Sequence, residues 1–185
     1  MRSTKLAIVF VLFVAAIAVA ASAQTTVFVA GNATGYFGGT AEMIVPLVPA
    51  IILNGPGTIT VTYVSGTVDL GGVITGPNGV FWDQGNGTGQ FPLQEAKGVG
   101  GGKVNNFGAL FGVFVPASRV NHSGFTAIDG TKSATRVGIM PGGLFFIGAG
   151  KTFDVMQAGT LFLGINDAGR VGDNSGGFTV EVTGP

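Results

Sequence analysis

The sequence predicts an all-β fold, an antiparallel β-sandwich of jelly-roll type. Three observations point there. No stretch beyond residue 23 sustains helical periodicity. Short runs rich in Val, Ile, Thr and Phe recur between clusters of Gly, Asn and Pro, the pattern of strands and tight turns. Glycine reaches 34 of 185 residues, a poor composition for helices, while 46% apolar content is too high for a disordered chain. About eight short strands are expected in one sandwich domain.

The elements follow in chain order. Arg2 and Lys5 precede an unbroken apolar run over 6–20, and Ala21-Ser22-Ala23 gives a small-x-small pattern before Gln24. This predicts a secretory signal over 1–23 and a single domain over 24–185. The apolar core is short for a bilayer span, and no later run is long enough, so a secreted or periplasmic protein without a membrane span is expected. Residues 25–30 (TTVFVA) read as a strand. Residues 41–52 are apolar but hold Pro46 and Pro49, which allows at most broken edge structure. Ile59, Val61 and Tyr63 alternate with Thr58, Thr60 and Thr62, a strict period of two.

Residues 71–108 form the least regular region, and a loop of that length is often functional. Residues 109–116 (ALFGVFVP) are continuously apolar, as in a strand at a sheet centre. Residues 124–137 carry no clear signal. Strands are expected at 143–150, 152–156, 161–165 and 178–182. In the last, Phe178, Val180 and Val182 face one way and Thr179, Glu181 and Thr183 the other.

Charge and chemistry exclude several classes. Nine basic residues balance nine acidic ones, so no strong field draws nucleic acid or an anionic membrane. There is no cysteine, hence no disulfide, and stability must come from the core or a bound metal. His122 is the single histidine, too few for a multi-His zinc site, and no elbow motif supports a triad with Ser123. "GAGKT" at 148–152 has Phe145 where a phosphate loop needs Gly and strand residues where it needs a helix. "GVGGGK" at 98–103 fails in the same way. Asp154 and Glu42 read as isolated solvated acids. Asn32, Asn86 and Asn121 head glycosylation sequons, which matter only in a eukaryotic secretory pathway. An enzyme is not expected; a hydrolase on His122 is the enzymatic alternative.

The chemistry-bearing segment is "GTLFLGINDAGRVGDNSGGFTVEV" at 159–182. Asp167 follows the strand at 161–165, and Asp173 and Asn174 precede the strand at 178–182. Pairing of those strands as a hairpin would bring the three side chains together. Two carboxylates so close repel unless a cation lies between them. Calcium, which takes 6–8 oxygens in flexible geometry, suits such a loop better than magnesium. Gly169, Gly172, Gly176 and Gly177 would let carbonyls turn inward. Asn, Asp and Gly are also the commonest turn residues, so composition by itself favours a plain turn over a cation site.

"GINDAGRVGDNSGGFTVEV" resembles the C-terminal hairpin of the small calcium-dependent galactophilic bacterial lectins, whose fold is a galactose-binding-domain-like β-sandwich. "ITVTYVSGTVDLGGVITGPNG", "WDQG" and "FGALFGVFV" resemble further pieces of that family, in family order over 59–182. The resemblance implies a calcium ion held by Asp167, Asp173 and Asn174, by a carbonyl of Val171 or Arg170, and by the carbonyl of Leu70. It implies that two galactose hydroxyls complete the calcium shell, with Asp167 and Asp173 also bonding the sugar. Gln84 would reach another hydroxyl, and Trp82 could stack on a sugar face. The loop is one residue shorter than in the family. Asp173 stands for a family Asn, Leu70 for a Tyr, and Phe81 or Trp82 for a sugar-contacting His. The expected partner is therefore a galactose-type glycan, with a homo-oligomer adding avidity. The alternative is a calcium-stabilised structural or adhesion domain of the envelope or matrix without sugar specificity.

Overall fold

A computed structural model gives the architecture and describes residues 22–34, 47–83, 103–119, 144–167 and 171–185. Eleven strands run through them: β1 (Ala23–Ala30), β2 (Val48–Leu53), β3 (Gly57–Leu70), β4 (Ile74–Thr75), β5 (Val80–Asp83), β6 (Lys103–Phe107), β7 (Leu110–Pro116), β8 (Leu144–Phe146), β9 (Gly150–Val155), β10 (Gly159–Ile165) and β11 (Asn174–Gly184). Two 3-10 turns, Ala117–Arg119 and Val171–Asp173, lie between strands. Every pairing is antiparallel. One sheet runs β1-β11-β3-β4 with β9 also beside β3; a second runs β2-β10-β7-β8; β5 and β6 form a separate ribbon. The excess over about eight strands comes chiefly from β4, β5 and β6, which lie inside the region expected to be a loop.

The alternations seen in sequence account for the core. Ile59 and Val61 of β3, and Phe178, Val180 and Val182 of β11, turn inward and are fully buried. Leu161, Leu163 and Ile165 of β10 are equally buried in the opposite sheet and join the same cluster. Thr179, Glu181 and Thr183 face the other way and stay half-buried. β7 is buried along its whole length, as a continuously apolar strand between two neighbours must be. β2, with Pro49, occupies a sheet edge, where a missing N–H can be tolerated.

β3 is twice the length that strict alternation marked. Val180 pairs with Tyr63 but Thr179 with Ser65, so Val64 is an extra residue, a bulge. A bulge switches parity: the inward residues are Ile59 and Val61 before it, and Val68 and Leu70 after it. Gly66 follows at φ +108°, and a Cβ there would sit 2.2 Å from the Gly177 carbonyl oxygen. The bulge is what brings Leu70 opposite Asn174 at the end of the sheet.

One expectation is overturned. The strands at 161–165 and 178–182 do not form a hairpin. β10 lies between β2 and β7, and β11 between β1 and β3, in different sheets. Both strands have both edges taken, so their apolar faces meet across the sandwich instead of side by side. The chain between them crosses from one sheet to the other at one end of the fold.

Asp154 is exposed as expected, with its Oδ1 accepting from Thr58 Oγ1 at 2.7 Å. Residues 148–152 make a turn into β9, not a phosphate loop. The apolar run at 6–20, Glu42, Asn86, the loop at 98–102, Asn121, His122, Ser123 and 124–137 lie outside the described residues. Among the described residues, no helix is long and apolar enough to cross a membrane.

Candidate functional site

The crossing from β10 to β11 begins with two buried polar residues, Asn166 (0% exposed) and Asp167 (5%). Burial of such groups is tolerated only with hydrogen bonds, and the backbone around them supplies many. Asn166 N–H donates to the Ala109 carbonyl at 2.8 Å, and its carbonyl accepts from Gly108 N–H at 2.9 Å. Its side-chain Nδ2 donates to the Asn106 carbonyl at 2.9 Å. Asn106 sits at φ +57°, a conformation asparagine adopts more readily than most residues, and its Nδ2 donates to the Asn78 carbonyl at 3.0 Å. Asn78 Oδ1 accepts in turn from Ala149 N–H at 2.9 Å. This chain of asparagines ties β6, β7 and the start of β9 to the residue just before Asp167.

Asp167 then meets Asn174 across the crossing. Asn174 Nδ2 donates to Asp167 Oδ2 at 2.8 Å and to the Gly31 carbonyl at 3.0 Å. Gly31 is where β1 turns away from β11, its N–H donating to the Gly176 carbonyl at 3.0 Å. A Cβ on Gly31 would lie 2.6 Å from the Ser175 carbonyl oxygen, so only glycine brings this carbonyl so close. Three residues on, Thr34 is 1% exposed and its hydroxyl has no hydrogen-bond partner among the described residues.

The remaining expected ligands lie around the same end. Asn174 pairs in register with Leu70. The β3–β4 turn follows Leu70, with Gly71 and Gly72 at φ +64° and +101° and Leu70 N–H donating to the Val73 carbonyl at 3.0 Å. Asp173 is exposed, at the end of the Val171–Asp173 turn, and its Oδ2 would lie 3.0 Å from a Cβ on Gly71. Asp173 thus reaches toward the β3–β4 turn while Asp167 points to Asn174. Val171 lies in the 3-10 turn leading to Asp173; Arg170 lies outside the described residues.

Among the described residues, no three of His, Cys, Asp and Glu gather at one point. A cation here would take two carboxylates and complete its shell with amide and main-chain oxygens, a donor set of the kind calcium accepts.

The expected sugar-contacting residues stand apart in what holds them. Gln84 lies outside the described residues. Trp82 is on β5 opposite Val104 of β6, half-buried, with its ring stacked on Phe107 at 4.2 Å between centroids and 30° between planes. One indole face is therefore taken up by the core, and the neighbouring Phe81 is the more exposed aromatic at 60%. Sequence reasoning missed Gly31, Asn106 and Asn166. Asn166 had a readable signal, since a second amide directly beside an acid is unusual at the end of an apolar strand. Gly31 and Asn106 had none, because their roles come from backbone carbonyls.

No protein-family model matches the chain, and a search of curated proteins finds no match to it.

Proposed function

We propose that this chain is an exported calcium-dependent carbohydrate-binding protein, a galactose-type lectin on a jelly-roll, galactose-binding-domain-like sandwich. The observation that carries it is Asn174, whose amide bridges Asp167 Oδ2 and the Gly31 carbonyl beside Leu70. An amide N–H there does a cation's work, lying between two oxygen acceptors. Rotating the amide by a half turn presents its oxygen to the same two, so that three oxygens converge. The carbonyls of Leu70 and Val171 and the carboxylate of Asp173 would add to the shell.

Calcium so held has coordination left for a vicinal pair of sugar hydroxyls, since it takes up to eight oxygens and these groups offer six. Exposed Asp173 could accept from those hydroxyls, and Gln84 and Trp82 would serve the rest of the ring. A second reading draws on the burial of Asp167 and the stacking of Trp82 on Phe107: the cation staples the crossing between sheets and no sugar binds.

Two experiments decide. Melting is measured in excess calcium and in EGTA. At calcium 100-fold above its dissociation constant, linkage raises stability by about 2.7 kcal/mol, or about 5–10 °C for a domain of this size. Identical curves would sink the metal. A glycan array read in both buffers then separates the readings: galactoside spots that vanish in EGTA mark a lectin, whereas calcium-shifted melting with a blank array marks a staple.

A further inference from the structure

We propose that the outer edge of β1 is a homodimer interface, in which two copies pair β1 to β1 antiparallel and join their five-stranded sheets into one. Among the described residues, β1 is hydrogen-bonded to β11 on one side and to no strand on the other. A free edge presents unpaired N–H and C=O groups, which proteins normally guard. The other edges of the two large sheets are guarded. β2 carries Pro49, with a register shift beside it. β4 has two residues and β8 three. β9 exposes Lys151 and Asp154. β1 has none of these devices: its eight residues, AQTTVFVA, include no charge and no proline, and its ladder with β11 runs without a register shift.

Its side chains fit a second copy of the same strand. Val27 and Val29 are buried in the core, while Gln24, Thr26 and Phe28 face out, Phe28 being 59% exposed. The Phe28 ring lies over Gly177, where a Cβ would come within 2.5 Å of its Cζ, so it is held flat against the sheet and leaves the edge clear. Antiparallel pairing about Thr26 sets Gln24 opposite Phe28 and Thr25 opposite Val27, and nowhere brings like charges together. A two-fold contact also closes on itself, so one pairing removes both free edges and the assembly stops at two. The two Gly31 ends would then lie about 33 Å apart, ten residues of strand at about 3.3 Å each.

The test is sedimentation velocity on the exported protein, its N-terminus read by intact mass, in calcium and in EGTA. A dimer is expected in both buffers, which separates this interface from the cation site. Thr26→Lys should give a monomer with an unchanged circular dichroism spectrum, since the lysines face each other across the two-fold while Glu181, the cross-strand neighbour on β11, accommodates each within its own copy. Thr26→Ser should remain dimeric. Amide exchange on the unaltered protein gives an independent measure: β1 amides should lose protection on dilution while β11 amides keep theirs. A wild-type monomer at high concentration, a dimer present only in calcium, a dimer that survives Thr26→Lys, open-ended polymers, or concentration-independent exchange in β1 would each overturn the interface.

Discussion

Asp167 and Trp82 were both expected to touch a ligand, and the fold holds them by opposite means. Asp167 is a buried acid, 5% exposed, at the end of a relay of asparagines from Asn78 through Asn106 to Asn166. Trp82 is a half-buried aromatic on a two-stranded ribbon, stacked on Phe107. Apolar packing accounts for Trp82 without any ligand, because a ring that covers core surface is stabilising in itself. It does not account for Asp167. A carboxylate gains nothing from an apolar neighbourhood and costs several kcal/mol to desolvate, so hydrogen bonds must hold it there. Burial of a polar group on a built network is thus the stronger sign of a site than an aromatic in a polar loop.

The largest loss expected without calcium tests the network itself. Asn166→Ala removes the donor to the Asn106 carbonyl in a fully buried setting and should cost about 1–3 kcal/mol, equally in calcium and EGTA, by chemical denaturation. A loss confined to calcium would mean that the relay serves the ion and not the fold. Asp167→Ala comes next. In EGTA it forfeits the bond from Asn174, worth about 1 kcal/mol, together with its other contacts. In calcium at 100-fold its dissociation constant it should lose a further 2.7 kcal/mol or so, the whole of the linkage. Equal losses in the two buffers would place Asp167 with Trp82, as a residue that serves packing alone.

How legible the two regions were differs for physical reasons. Strands with strict alternation, Ile59 to Tyr63 and Phe178 to Val182, were readable because burial of one face imposes a period of two. The second half of β3 was not, since the bulge at Val64 shifts the inward residues from odd to even positions and alternation read across it cancels. The pairing of β10 with β11 was misjudged because a short Gly-rich connection looks the same whether it closes a hairpin or crosses between sheets. Only the demand of four other strands for their edges decides it. Asp167 and Asn174 were nevertheless brought together, because either path returns the chain to the same end of the sandwich. The Gly31 carbonyl was beyond reach, as no side chain announces a main-chain acceptor.

Trp82→Ala sharpens the comparison from the other side. Full truncation of a buried aromatic costs about 3–5 kcal/mol, and a half-buried ring should cost about half of that, with no dependence on calcium. If the variant keeps its stability but loses galactoside spots, the indole is a sugar platform and the contrast with Asp167 weakens.

The smallest effect on the fold is expected at Asp173, and it is the most informative about the ion. Asp173 is exposed, with no hydrogen-bond partner among the described residues, and its carboxylate lies near the backbone of Gly71. Surface substitutions of this kind change stability by about 0.5 kcal/mol or less. Asp173→Asn should therefore melt with the wild type in EGTA. In calcium it removes one negative charge from the proposed shell while keeping an oxygen in place, so the ion should bind more weakly but still bind. A tenfold weaker dissociation constant takes about 1.4 kcal/mol from the calcium-dependent stabilisation at a fixed high calcium concentration, and the melting shift should fall to roughly half. Calorimetric titration with calcium gives the same quantity directly. An unchanged calcium affinity in Asp173→Asn, beside a lost one in Asp167→Ala, would confine the ion to the buried side of the crossing. It would then lie out of reach of any sugar, which would favour the staple over the lectin.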